Sequence, residues 1–386
     1  MSLYRPRVLL LADDLSGAAD AGVPFAARGL TTTVHLGIGR GAEADDVMAF
    51  DLDIRDGDAR MARRRVRDAA RAGQADVTFG KLDSLLRGHV LEQLQGLRDA
   101  QPDALIVLAP AFPAAGRTTV DGDQLVHGVP TRRRLLDLLA PLRTVAVGLA
   151  DVRAGMDANV ARMDADVAVC DAETDDDLAA VVKAIRRSGR TVVWAGSAGL
   201  ALAVAEDLSP RPRKPPTPLP FAGAGPVMTV IGSWSAIAGA QAASLAAAGA
   251  TSVVLAADRL LKDSVGARSR LRATVIEAGQ IGDVVVSVGG PVARERSAEL
   301  LDGLVAVVAE AARTVSLLVL TGGATARAIL LAGGVDRLLP AAELETGVVL
   351  SRAPHHDLTV VTKAGAFGDA NTLTRAVRAV RRGAQP

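Results

Sequence analysis

Short runs of apolar and β-branched residues recur along this chain, each separated from the next by a longer amphipathic stretch. Val8–Leu11, Thr32–His35, Ala104–Leu108, Thr144–Val147, Val167–Cys170 and Thr191–Trp194 have the length and composition of strands. Ala59–Ala72 and Asp175–Ser188 carry helical spacing between them. A strand with no polar face must be covered on both sides, and helices alternating with such strands achieve this around a mostly parallel sheet. Only 2% of the residues are aromatic, against 49% hydrophobic. The core is therefore built from Ala, Val and Leu, which suits helices on a sheet better than an aromatic sandwich or a base-stacking surface.

SPRPRKPPTPLP, Ser209 to Pro220, interrupts this pattern with six prolines in twelve residues. Such a run cannot continue a helix and favours an extended polyproline conformation. Beyond it the alternation resumes at Val227–Ile231, Thr251–Leu255, Asp283–Ser287, Leu317–Leu320, Val348–Ser351 and Leu358–Val361. The expected fold class is α/β: two α/β domains with mostly parallel sheets, joined by a Pro-rich linker. Residues 1–209 form the first domain, 210–220 the linker and 221–386 the second, with no internal repeat. A chain of 386 residues is long enough for each domain to bury its own core.

Forty-four basic residues against 43 acidic ones leave a formal charge of +1. That balance excludes a general polyanion binder, so no nucleic-acid partner is expected. The clusters Arg63–Arg65 and Arg132–Arg134 read as solvated helix faces. The single cysteine, Cys170, has no metal-ligand spacing around it and reads as a core residue. The first apolar run gives way to acids after about four residues, too short for a signal peptide. No segment approaches the roughly 18 apolar residues that span a bilayer. A soluble, cytoplasmic protein without a membrane partner is the expectation.

In parallel α/β sheets, ligands bind beyond the carboxyl ends of the strands. Three such loops in the first half are polar. LADDLSGAADAG places Asp13 and Asp14 directly after a strand. An acid there can cap the next helix, but Ser16 could do so equally well, which leaves both carboxylates for chemistry. FGKLDSLLRGHVLEQL sets Lys81, Asp83, Ser84 and Arg87 within seven positions. Arg can grip a carboxylate with two parallel bonds and Lys adds a point charge. PAFPAAGRTTVDG, with Arg117, Thr118 and Thr119, reads as a shaped loop. Together these loops would line a cleft for a small hydroxylated anion, with an Asp as base for one of its hydroxyls.

The second half carries three glycine loops after strands. VIGSWSAIAGAQ holds Ser233 and Ser235; LTGGATARAIL holds Gly322, Gly323, Ala324 and Thr325; VTKAGAFGDANTL holds Lys363 and Gly365. Each offers bare backbone N–H groups at a helix start, which suits phosphate, and Lys363 is the natural charge for it. None of them is a P-loop of the G-x-x-x-x-G-K-[ST] type.

The segments ADDLSGAAD, KLDSLLRG, PAFPAAGRTTVDG, AGSAGLA, GSWS, TGGATA and TKAGAFGD, in this order over nearly the whole chain, resemble the four-carbon acid sugar kinase family. The resemblance implies an N-terminal domain that binds a tetronate and a C-terminal domain that binds ATP with Mg²⁺. It implies that Asp13, Asp14, Lys81, Asp83, Ser84 and Arg87 contact the acid sugar, and that Ser235, the Gly322–Thr325 loop and Gly365 hold ATP. Asp13 and Asp14 share the base role, the choice between them being open, as are the metal ligands and whether the chain is a homodimer. Two stretches depart from the family pattern. TRRRLLDLLAPLR replaces a polar stretch around a Thr and an Asp-Pro, and Ala364 stands where the family carries a Ser. A nicotinamide-dependent sugar-acid dehydrogenase would need a Gly-rich fingerprint after the first strand, which ADDLSGAAD lacks. A non-catalytic sugar-acid sensor is the other alternative.

Overall fold

The computed structural model describes residues 7–38, 45–73, 75–156, 164–209, 225–232, 235–261, 265–290, 294–365 and 367–383. The chain divides into two compact units, Met1–Pro216 and Thr217–Pro386. The Pro-rich stretch 210–220 lies outside the described residues.

The N-terminal unit contains β1 (Val8–Ala12), β2 (Thr32–His35), β3 (Val47–Asp51), β4 (Val77–Lys81), β5 (Leu105–Ala109), β6 (Arg117–Val120), β7 (Asp123–Val126), β8 (Val129–Arg134), β9 (Thr144–Val147), β10 (Val167–Cys170) and β11 (Val192–Gly196). Its main sheet runs β2-β3-β1-β4-β11-β5-β10-β9, and every pair in it is parallel. From β1 the chain goes to β2 and β3 on one side, while β4 leads to the strands on the other. The gap between β1 and β4 is therefore the switch point, where the crossovers diverge and leave a crevice above the strand ends.

Helix α1 (Leu15–Ala27) follows β1, α2 (Ala59–Ala72) follows β3 and α3 (Val90–Ala100) follows β4. Ala62, Val66 and Ala69 of α2 pack with Leu94 and Leu97 of α3 against Leu9, Leu11, Met48 and Phe50 of the strands. Small residues let these helices approach closely: a Cβ at Gly96 would lie 2.6 Å from the Arg63 carbonyl oxygen. Arg63–Arg65 indeed lie on a helix. Arg132–Arg134 do not; they end β8, because the segment after β5 folds as a sheet.

That segment is an antiparallel sheet, β6-β7-β8, inserted between β5 and β9. Two-residue turns join its strands, with φ of 53° and 74° at Asp121 and Gly122, and 48° and 77° at His127 and Gly128. Positive φ at both central residues is the turn that matches strand twist. The loop expected at PAFPAAGRTTVDG is thus the start of a hairpin.

The C-terminal unit holds β12 (Val227–Ile231), β13 (Thr251–Ala256), β14 (Val284–Gly289), β15 (Leu317–Thr321), β16 (Arg337–Glu345), β17 (Val348–Ala353) and β18 (Leu358–Lys363). Within the unit they run β13-β14-β12-β15-β18-β17-β16, parallel from β13 to β18 and antiparallel for β17 and β16. Val227, Ile231, Leu317, Val319 and Val361 form its core with Leu245, Leu373 and Val377. Here the switch point falls between β12 and β15. Among the described residues, no helix is long and apolar enough to cross a membrane.

Candidate active site

All seven residues expected to face the acid come together at the β1/β4 switch point. Asp13 and Asp14 leave β1, and Asp14, not Ser16, is the N-cap of α1: its Oδ1 accepts the Gly17 N–H at 2.7 Å. The chain turns into the helix one residue after Asp14, so Ser16 falls inside the first turn, where its hydroxyl donates to Asp14 Oδ2 at 3.2 Å. Lys81 is the last residue of β4, in register with Ala12. It donates to the Leu82 carbonyl at 3.0 Å. A Cβ at Gly17 would sit 3.0 Å from Asp14 Oδ1, 3.3 Å from Lys81 Nζ and 3.4 Å from Asp13 Oδ1, so both acids and the ammonium crowd one glycine.

Arg55 ties the cluster together, and sequence reasoning missed it. Its Nε and Nη2 donate to the two oxygens of Asp13 at 2.6 and 2.9 Å, and its Nη1 donates to Asp14. Nη2 also lies 3.6 Å from Asp83. Arg55 follows β3, whose apolar run in DVMAFDLDIRD is closed at each end by an acid and so gives little strand signal. Asp83 in turn accepts from Arg87 Nε at 2.9 Å and Nη2 at 2.6 Å, and from the Leu85 N–H at 3.0 Å. The antiparallel sheet supplies the last members. Arg117, on β6, donates to the Ser84 hydroxyl, and Gln124, on β7, donates to the Ser84 carbonyl.

Burial sets the electrostatics. Asp13 is 0% exposed, and its enclosure raises its pKa above the usual carboxylate value despite Arg55, with Asp14 pushing the same way. Burial would raise Asp83 too, but the hydrogen bonds from Arg87 and the charge of Arg55 outweigh it and hold it far below the usual range. Burial disfavours charge on Arg55 as well; the carboxylates of Asp14 and Asp13 overcome this and raise its pKa. Arg117 is lowered by its burial. The site thus pairs an acid that stays ionised with one that holds its proton more tightly.

The glycine loops of the C-terminal unit gather at the β12/β15 switch point and the adjoining end of β18. Gly232, after β12, has no room for a side chain, since a Cβ would lie 2.0 Å from Thr325 Oγ1. Gly322 takes φ +88° to start the helix Gly323–Ala332, and its N–H donates to the Lys363 carbonyl at 2.9 Å. Gly323, Ala324 and Thr325 form the first turn of that helix. Ser235 caps the helix Ala236–Ala247, its hydroxyl accepting the Ala238 N–H at 3.2 Å. Ser233 lies outside the described residues.

Lys363 was expected to offer its charge outward. The side chain is instead buried, and Nζ donates to the carbonyls of Ala364 at 2.8 Å, Gly365 at 3.2 Å and Phe367 at 3.0 Å. With three protons on three carbonyls, the ammonium shapes the loop from its inner side. Among the described residues no group of three or more His, Cys, Asp or Glu side chains could hold a metal ion.

Residues 8–137 and 133–204 match the family model of a sugar-binding N-terminal domain, and residues 228–373 that of a nucleotide-binding C-terminal domain. The chain is 35% identical to a D-threonate kinase of Cupriavidus necator over 98% of its own length and 99% of that protein's. It is 30% identical to a 3-oxo-tetronate kinase of Methylobacterium radiotolerans, over 95% of its own length and 97% of that protein's. The fold is shared with the Haemophilus influenzae protein HI1011, at a TM-score of 0.71 and 19% identity over 96% of this chain and 99% of that one.

Proposed function

The chain belongs to the four-carbon acid sugar kinase family, which joins a sugar-binding N-terminal domain to a nucleotide-binding C-terminal domain, and from that premise we propose that it transfers the γ-phosphoryl group of ATP to a hydroxyl of a four-carbon sugar acid. It is a phosphotransferase acting on a sugar acid. D-Threonate is the first acceptor to test, being the acid named for relatives at 35, 30 and 28% identity. Erythronate and 3-oxo-tetronate follow.

The observation that carries this reading is the buried set Asp13, Asp14, Lys81 and Asp83, joined by half-buried Arg55, at one switch point. Asp13 takes the proton of the attacking hydroxyl. Its enclosure raises its pKa above the usual carboxylate value, and Asp14 has committed Oδ1 to the helix cap. Lys81, Arg87 and Arg117, with the Ser84 hydroxyl, meet the carboxylate and hydroxyls of the acid. The nucleotide lies on Ser235, Gly322–Thr325 and Gly365. Mg²⁺ bound with the nucleotide would supply charge neutralisation at the phosphates, and the protein's own work is positioning and charge stabilisation.

The test is ADP release from Mg-ATP with a panel of four-carbon acids. Turnover with one of them is expected, and no turnover with any, while acid binding persists, would point to a sensor. Asp13→Asn should lower kcat by about 10²- to 10⁴-fold, the usual worth of a general base. Full turnover by Asp13→Asn would sink the base assignment. Asp14→Asn keeps the cap, because Asn serves that position as well as Asp does, and should cost less.

A further inference from the structure

We propose that Lys363 is a positioning residue: it aims the backbone N–H groups of Gly365 and Gly368 at the nucleotide phosphates without touching phosphate itself. The inference rests on the nucleotide reading above and assigns the lysine a different task from a phosphate-binding charge.

A peptide unit is planar and trans, so the carbonyl of one residue and the N–H of the next point in opposite directions. Nζ of Lys363 draws the carbonyls of Ala364 and Phe367 inward. The N–H groups of Gly365 and Gly368 belong to those same two peptides and are thereby turned outward. Two outward N–H groups within one turn offer an anion a pair of converging donors. Gly368 adopts φ +79°, which lets the chain reverse there without a side-chain penalty.

The rest of the fold holds the loop in the same sense. Gln241, from the helix capped by Ser235, donates to the carbonyls of Phe367 at 3.3 Å and Asp369 at 2.8 Å. Thr372 Oγ1 accepts the Asp369 N–H at 2.9 Å. The main-chain carbonyl of Lys363 accepts the Gly322 N–H, so this one residue joins the loop after β18 to the loop after β15. A lysine serving as a flexible point charge would be solvated at its tip; this one is 0% exposed and its three donors are used.

The experiment measures binding of Mg-ATP and of adenosine to the full chain by calorimetry, with D-threonate binding as the control for the other unit. Lys363→Met fills the same space without donors. It should weaken Mg-ATP by about tenfold or more, the worth of one or two charge-assisted hydrogen bonds, and leave adenosine and D-threonate unchanged. Lys363→Arg keeps the charge but not the three-carbonyl geometry, and should fail to restore affinity. Full ATP affinity in either variant overturns the proposal, since it would make the lysine dispensable or its charge alone sufficient. Should Lys363→Met fail to fold, Gln241→Leu decides. It loosens the same loop from outside the site and should weaken Mg-ATP but not adenosine, and unchanged ATP affinity overturns the proposal. Wild-type protein that binds no Mg-ATP would instead sink the nucleotide reading, and this inference with it.

Discussion

Asp14 Oδ1 starts a helix while its Oδ2 accepts from Arg55, so one carboxylate serves both the fold and the site. The crowding around Gly17 makes this testable. Gly17→Ala improves helix propensity by up to about 1 kcal/mol, yet its Cβ would press on Asp14, Lys81 and Asp13. The melting temperature should hold or rise while kcat/KM falls, a split that an ordinary surface glycine would not give. Arg55→Leu should be worse on both counts, costing about 3–5 kcal/mol because two buried carboxylates lose their counter-charge. Urea titrations would measure it. Asp83 adds a pH signature. Its folded pKa lies below its ordinary 3.8, so the folded chain binds fewer protons, and the stabilisation is present above 3.8 and lost on acidification below it. The stability of wild type should therefore fall more steeply than that of Asp83→Asn as pH drops through that window. At this scale Asp13 and Asp14 were legible because they follow a recognisable strand, and Lys81, Asp83 and Arg87 because they cluster within seven positions. The identity of the cap was not, since Asp14 and Ser16 are equally good caps and only the path of the backbone chooses between them. Arg55 stayed hidden with its strand.

Among the elements, the antiparallel sheet β6-β7-β8 bears most on the proposed acid site, because Arg117 and Gln124 reach Ser84 from it. Gln124→Leu would leave the buried Ser84 carbonyl without this donor, at a cost of about 1–3 kcal/mol. It should raise KM for the sugar acid and leave KM for ATP as it was; steady-state kinetics with each substrate varied would separate the two. The signal for this sheet was in the chain: TTV-DG-DQLV-HG-VPT is strand and two-residue turn, twice over, and Asp-Gly between such runs marks a hairpin. The prolines and glycines of the preceding PAFPAAG masked it by reading as one long loop. The basic run Arg132–Arg134 was misplaced for the same reason, being assigned to a helix that begins only at Leu135. The parallel strands of the C-terminal unit were the easier part, since β12, β13, β14, β15 and β18 each announce themselves as a largely apolar run.

For the molecule as a whole, each unit has its own core and its own switch point in its strand order. A ligand stabilises the part that binds it, by about 2.7 kcal/mol at a hundred times its Kd. Residues 1–216 and 217–386 produced separately should therefore respond in calorimetric melting to the sugar acid alone and to Mg-ATP alone. A shift of the first by ATP or the second by the acid would contradict the assignment. Strand order was the least legible property, because it depends on crossovers between residues far apart, which no local pattern records. It holds a likeness that the amino acids do not. β1 to β4 lie in the order β2-β3-β1-β4, and β12 to β15 in the order β13-β14-β12-β15, so both units open with the same winding although no sequence repeats. On the proposed assignment, acceptor and donor recognition are written in separate stretches of the gene, codons 13 to 124 and 232 to 368. Recombination between those stretches could exchange one acid for another while inheriting the phosphate donor intact.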